Sequence, residues 1–249
     1  MRYENIVVKE EDGIRIIRIQ RKSDLNPLDL PTLAEIRASM SEKTVITVIT
    51  GSERAFSAGA DIKNFAGLTE SVAYSFSREG HSVMNFIASY EAPVIASIRG
   101  YALGGGFELA LSCDFRIASG NANMGLTELN IGLIPGWGGT QRLKELVGEQ
   151  AAFYLIGTSN VMTAEDALRY GIVMQISDNP DQSSIDLALR LREKSAFTLK
   201  AVKSLIRSKP TEMYEEEKQL FGMAFGHTDS KEGVQAFLEK RKPAFNSSY

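Results

Sequence analysis

The 249-residue sequence predicts an α/β fold whose C-terminal portion is helical only. Three observations carry that expectation. Short runs such as VITVIT and APVIASI, rich in Val and Ile and free of charged residues, suit strands buried on both faces. Segments with helical spacing alternate with them, and after IVMQI the strand-like runs stop.

Taken in order, Val7 and Val8, the Asp12-Gly13 turn and the alternation in IRIIRIQ predict an N-terminal hairpin. PLDLPTLAEIRASM, with Pro31 and a spaced apolar set, predicts a helix, and VITVIT the next strand. TESVAYSFSREGHSVMNFIASY reads as a long helix, APVIASI as a strand, ELALSC as a helix leaving a glycine run, and DFRIAS as a strand. QRLKELVGEQAAFYLIG is helical, and TAEDALRYG is a helix capped by Thr163 and stopped by Gly171. Helices follow over Ile185 to Lys209, over Met213 to Phe225 and in KEGVQAFLEKRKPAF, where Pro243 supplies the stop. No low-complexity linker and no sequence repeat divides the chain. The best boundary lies near Asn179-Pro180, separating a core over 1–179 from a helical region over 180–249.

Composition narrows the function classes. At 43% hydrophobic and 24% charged, the chain can bury a large core. Its net charge of -3 exerts no general pull on nucleic acid or anionic lipid. The basic cluster Arg190, Arg192, Lys194, Lys200, Lys203, Arg207 and Lys209 is surrounded by acids, so neither nucleic acid nor membrane is expected as a partner. Cys113 is the only cysteine, which excludes an intrachain disulfide and a cysteine-based metal cluster and fits a cytoplasmic location. The opening MRYENIVVKEEDG is acidic and lacks a long apolar stretch, which argues against a secretory signal or transit peptide.

The glycine-rich segments follow neither the GxGxxG order nor a P-loop, and no GxSxG elbow occurs. His81 and His227 have no adjacent metal-ligand partner, so no metal site is expected. Two glycine-flanked acids instead suggest acid/base chemistry on a polarised carbonyl, beside the alternative that the glycines only permit close helix-strand packing. In GYALGGGFELA, Glu108 follows Gly104, Gly105 and Gly106, which leave backbone N–H groups open beside a carboxylate. Glu128 lies in MGLTELNIGLIPGWGGTQRL, where glycines bracket an acid and a Pro-Gly turn. AFSAGAD places small residues after a buried strand, where ligand clefts open in α/β folds. Two N–H groups aimed at one carbonyl oxygen, one at a helix start, would stabilise an enolate.

AFSAGADIKNF, PVIASIRGYALGGGFELALSCDFRIAS, MGLTELNIGLIPGWGGTQRL and KEGVQAFLEKRKPAF together resemble the crotonase, or enoyl-CoA hydratase/isomerase, superfamily over nearly the whole chain. The resemblance implies a crotonase-like ββα spiral core carrying the active site, with a helical C-terminal oligomerisation region. It implies an oxyanion hole made by the N–H groups of Ala60 and Gly105, and Glu108 and Glu128 as the two catalytic glutamates. The acyl-CoA site would include Ala58, Asp61, Ile62, Lys63, Gly104, Pro135, Gly136 and Trp137. Lys63 either approaches the phosphate or adenine of CoA or is a solvated loop lysine. Trp137 stands where relatives often carry a small residue, so its indole either reshapes the acyl pocket or packs outward. Lys240, Arg241 and Lys242 match the family's terminal EKRK, which reaches CoA on a neighbouring subunit or forms a solvated helix end. RKSDLNPL departs from the family's usual RPxxxNAL-like run.

Retention of both glutamates points to reversible hydration of a trans-2-enoyl-CoA to a 3-hydroxyacyl-CoA. The implied enzyme has no metal or redox cofactor, coenzyme A being part of the substrate, and assembles as a homotrimer or a dimer of trimers. Beside it stand Δ3,Δ2-enoyl-CoA isomerisation or another acyl-CoA reaction of the superfamily, and a catalytically silent acyl-CoA-binding or assembly subunit.

Overall fold

The structure, a computed structural model, describes residues 3–65, 69–207, 218, 223 and 228–245, without the side chains of residues 63, 64 and 237. The expected helix over Met213 to Phe225 and His227 lie outside these residues, apart from positions 218 and 223. The N-terminal hairpin is present as β1 (Ile6–Glu11) and β2 (Ile14–Ile19), paired antiparallel with Glu11 opposite Ile14. Asp12 and Gly13 both adopt positive φ, 50° and 69°, which is the primed turn a two-residue hairpin requires. Next come α1 (Leu30–Ser41), β3 (Ile46–Thr50) and β4 (Ala55–Ser57). Asp29 caps α1 by accepting from the Thr32 N–H, and Pro31 sits in its first turn.

The middle of the chain repeats one unit. A long strand in the first sheet is followed by a three-residue strand in a second sheet, and then by a helix. Thus β3 and β4 lead to α2 (Glu70–Ala88), and β5 (Val94–Ile98) and β6 (Tyr101–Leu103) lead to α3 (Gly105–Ser112). In the third unit, β7 (Phe115–Ala118) and β8 (Asn123–Gly125) lead through a 3-10 turn (Glu128–Ile131) to α4 (Gly139–Val147). Then follow α5 (Glu149–Gly157), β9 (Met162–Thr163), α6 (Ala164–Arg169), β10 (Gln175–Ile176), α7 (Pro180–Arg192), α8 (Ala196–Arg207) and α9 (Thr228–Leu238). The first sheet has the order β1-β2-β3-β5-β7-β10 and is parallel from β2 onward. The second, β4-β6-β8-β9, is parallel except at β9. Successive units therefore stack as turns of a ββα spiral, the architecture the resemblance implies.

The long strands are buried on both faces, as their apolar runs require. From β5, Val94, Ala96 and Ile98 enter the main core, whereas Ile95 joins Ile14, Ile46, Val48 and Ile117 under α7, which contributes Ala188. Asp181 at the start of α7 accepts from Thr50 Oγ1 (2.7 Å) and Ser97 Oγ (2.5 Å), and pairs with Arg18 at 3.2 Å. Burial opposes ionisation of Asp181. The hydrogen bonds from Ser97 and Thr50, with Arg18 and Arg99 nearby, outweigh it and hold the carboxyl below its usual range.

Several boundaries differ from expectation. The helix over 141–157 is two helices, broken at Gly148, whose φ of 80° cannot continue a right-handed helix. The span from Ile185 to Lys209 likewise divides into α7 and α8. The strand read from IVMQI is only Gln175–Ile176. The last helix ends at Leu238, ahead of Lys240 with φ 54°, rather than at Pro243. Thr163 does cap α6, in a reciprocal box with Asp166, and Gly171 closes it with φ 69°. Among the described residues no helix is long and apolar enough to cross a membrane.

Asp181→Ala should lower unfolding free energy by roughly 2 kcal/mol near neutral pH, because it leaves two hydroxyls and Arg18 without their acceptor. A carboxyl whose folded pKa is depressed contributes stability above its ordinary range and loses it as pH falls. The difference between wild type and variant in denaturant titrations should therefore shrink on acidification; a constant difference would exclude the clamp.

Candidate active site

The glycine run sets the site's geometry. Gly104 takes φ 48° immediately before α3, and a β-carbon there would lie 3.3 Å from Glu128 Oε1. A β-carbon on Gly106 would overlap the Ser57 carbonyl, so α3 can approach β4 only through a glycine. Glu108, one turn into α3, is 2% exposed, and its Oε1 accepts from the N–H groups of Trp137 (2.7 Å) and Gly139 (2.8 Å). Burial is the largest influence on Glu108 and pushes its pKa up to about 7. The two amides and Arg142 pull it down, while the charge of Glu128 pushes it further up. Arg142 also braces the segment, its Nη1 donating to the Trp137 carbonyl at 2.8 Å and its Nη2 to Asn85 Oδ1 at 2.7 Å.

Glu128 opens the 3-10 turn after β8. Burial raises its pKa too, against the pull of the local backbone N–H groups of residues 127 and 128. Its Oε2 is inaccessible to solvent and has no hydrogen-bond partner among the described residues. An unpartnered buried carboxyl oxygen is costly, while the other oxygen, Oε1, lies against Gly104 of the run that leads into Glu108. The topology accounts for the meeting: β6 and β8 are paired neighbours, with Leu103 opposite Gly125, so the residues that follow each strand emerge side by side.

The segment after β4 is held by the N-terminal strand-to-helix connection. Ala58 N–H donates to Leu25 O (2.8 Å), Leu28 N–H to Gly59 O (2.8 Å) and Asp61 N–H to Leu28 O (3.0 Å). This alternation uses residues 59 and 61, leaving the Ala60 N–H on the opposite edge. Among the described residues no acceptor takes the N–H of Ala60 or of Gly105, the latter being a first-turn donor of α3. The two stretches abut, since a β-carbon on Gly59 would lie 2.8 Å from Leu103 O and 3.4 Å from Gly105 N. A cleft of about 1040 Å³ opens beside them, lined by Arg21, Lys22, Ala58, Ala60, Asp61 and Ile62 among others.

Known proteins share this arrangement's framework. The model of the enoyl-CoA hydratase/isomerase family matches residues 9–248. The chain belongs to that family. It is 37% identical to crotonyl-CoA hydratase of Syntrophomonas wolfei over 99% of this chain and all of that protein. It is 45% identical to a probable enoyl-CoA hydratase of Bacillus subtilis over 80% of each. The solved enoyl-CoA hydratase of Bacillus anthracis superposes with a TM-score of 0.91 at 34% identity, covering 98% of this chain and all of that one.

Within this enoyl-CoA hydratase/isomerase chain the sequence-derived residues fall into groups. Glu108, Glu128, Gly104, Gly105 and Trp137 gather at the start of α3, while Ala58, Ala60, Asp61 and Ile62 line the cleft. The side chain of Lys63 lies outside the described residues. Pro135 is buried, and the Gly136 carbonyl accepts from Ser77 Oγ at 2.7 Å, tying the Pro-Gly turn to α2. Trp137 packs inward, 2% exposed. Arg241 pairs with Glu232 (2.6 Å) and Glu239 (2.5 Å), and Lys242 with Glu193 (2.5 Å), so both engage acids of their own chain. His81 is half-buried on α2, where burial and then Arg142 lower its pKa.

Sequence reasoning did not single out the amides of Trp137 and Gly139, and it read Asn26-Pro27-Leu28 only as a departure from the family's usual run. Asn26 is buried at φ 47°, takes the Arg21 N–H and donates to Ala55 O at 3.0 Å, locking the connection that positions Ala58–Asp61. The available signal was the Asn-Pro-Leu that keeps the first and third residues of the family's Asn-Ala-Leu.

A buried acid whose folded pKa is raised costs nothing below its ordinary range and its full penalty above the folded value. Glu108→Gln, which retains an acceptor for both amides, should therefore stabilise the fold above pH 7 by about 3 kcal/mol. The gain should fade toward pH 4.5, and thermal melts of both proteins across that interval would check it.

Proposed function

We propose that this chain is an enoyl-CoA hydratase that adds water reversibly to a trans-2-enoyl-CoA. One observation carries the reading: two carboxyls with raised pKa lie by the glycine run whose Gly105 amide, like that of Ala60 on the cleft wall, is unclaimed. The thioester oxygen accepts from the Ala60 and Gly105 N–H groups, so negative charge developing there is met by preorganised donors and a helix start. Polarisation makes C3 electrophilic. Glu108 takes a proton from water as its oxygen bonds to C3, and Glu128 gives a proton to C2, so the double bond becomes a single bond bearing OH and H.

The pKa of about 7 at Glu108 keeps a substantial fraction ionised near neutrality while making it a stronger base than a solvated carboxylate. The raised pKa of Glu128 favours its holding a proton. The phosphates of CoA suit the cleft edge carrying Lys22, next to Arg21, whose guanidinium is paired with Asp29. Hydratase names among the relatives support the activity, and the chain is a lyase of this family. For assembly the reading is a homotrimer or a dimer of trimers, supported by the exposed apolar side chains Ile134, Phe153 and Tyr154.

Glu108→Gln and Glu128→Gln should each lower kcat for crotonyl-CoA hydration by about 10²–10⁴-fold. Near-normal turnover in both would reject the scheme. Oxygen from labelled water should appear at C3, whereas product free of label would indicate double-bond isomerisation instead. Because Glu108 acts ionised, kcat/KM should rise with pH through an inflection at about 7. A flat profile across that range would remove Glu108 as the base.

A further inference from the structure

We propose that Trp137 sets an acyl-length limit, its indole closing the far end of the acyl site so that only short enoyl chains fit beyond the reacting carbons. The inference rests on the hydratase reading, since it takes the thioester to lie at the Ala60 and Gly105 amides. The indole is wedged between two helices. A β-carbon on Gly80 of α2 would overlap its pyrrole edge, and one on Gly105 of α3 would overlap its benzo edge. The residue whose amide faces the thioester thus has the indole against its Cα. Phe76 lies 5.4 Å from the indole between ring centroids, and Phe65 packs edge-on to Phe76, also at 5.4 Å. An aromatic row therefore runs from beneath the start of α3 to the 3-10 turn (Ile62–Phe65) that follows Ala60 and Asp61.

A CoA thioester entering along Ala58–Ile62 presents its carbonyl to the amides and its C2 and C3 to the two glutamates. Carbons beyond C3 continue past Glu108, toward the segment whose amides hold that carboxylate. That segment carries the indole. Its backbone is fixed on both sides, the N–H to Glu108 and the carbonyl to Arg142, so it cannot withdraw without loosening Glu108. Rotation of the side chain is blocked by close packing on Gly80, Gly105 and Phe76. Gly80 sharpens the point. A glycine inside a helix costs stability, and here it provides the room the indole occupies, so Gly80 and Trp137 form a matched pair. A longer acyl chain has to displace this packed row.

The experiment measures kcat/KM for crotonyl-, 2-hexenoyl-, 2-octenoyl- and 2-decenoyl-CoA with wild type, Trp137→Ala, Trp137→Phe and Phe76→Ala. Wild type should favour crotonyl- over decenoyl-CoA by at least about tenfold, and Trp137→Ala should compress that ratio by at least about tenfold, whatever its absolute rate. Trp137→Phe and Phe76→Ala should move the ratio the same way by less. A wild type indifferent to chain length, or a folded Trp137→Ala with the wild-type ratio, would overturn the proposal. If Trp137→Ala does not fold, the two milder variants carry the same decision. If wild type hydrates no enoyl-CoA at all, the hydratase reading fails, and calorimetric binding of butyryl- against decanoyl-CoA decides the length limit separately. Decanoyl-CoA binding as tightly as butyryl-CoA would then refute it.

Discussion

The burial of one carboxyl group, Glu108, is the constraint on which the rest of the site depends. An acid with 2% exposure survives in a protein interior only when backbone donors or a proton compensate for lost water, and here both routes operate. The amides of Trp137 and Gly139 supply the donors, and the pKa near 7 keeps protonation accessible. Those amides lie at the start of α4, nearly 30 residues away in sequence, so holding Glu108 also fixes where α4 begins and which way Trp137 points. Arg142, one turn into α4, closes the loop by binding the Trp137 carbonyl.

The second constraint comes from the spiral. Each short strand of the second sheet ends where a helix or turn begins, and pairing β4, β6 and β8 side by side aligns those three ends. Ala60, Gly105 and Glu128 each follow one of these strands. No single segment contains the site; the sheet register does, which is why Gly106 must let α3 press on β4 and why Asn26 and Leu28 must anchor the stretch after β4. The small residues of AFSAGAD and GGG are permissive features, and the hydrogen bonds that hold them come from elsewhere in the chain.

Much of the fold was legible because the signals were local. Asp12-Gly13 has the residues a tight hairpin turn needs, Thr163 and Asp166 are close enough to cap a helix together, and the β-branched runs have a burial pattern that requires no distant partner to recognise. Four motifs in order identified the family. The strands β4, β6 and β8 were not legible, since three residues are too few to show a period. Nor was the break at Gly148, where apolar spacing continues through a residue whose left-handed backbone ends the helix.

The sequence by itself determined the family, because its four motifs are contiguous runs read in order along nearly the whole chain. Tertiary structure alone decided the direction of Trp137, the donors that hold Glu108 and the isolation of Glu128 Oε2. The physical reason is distance along the chain. Residue type and spacing encode what a segment can form, but whether a carboxyl is ionised, or an indole fills a site or faces water, depends on neighbours brought from tens of residues away.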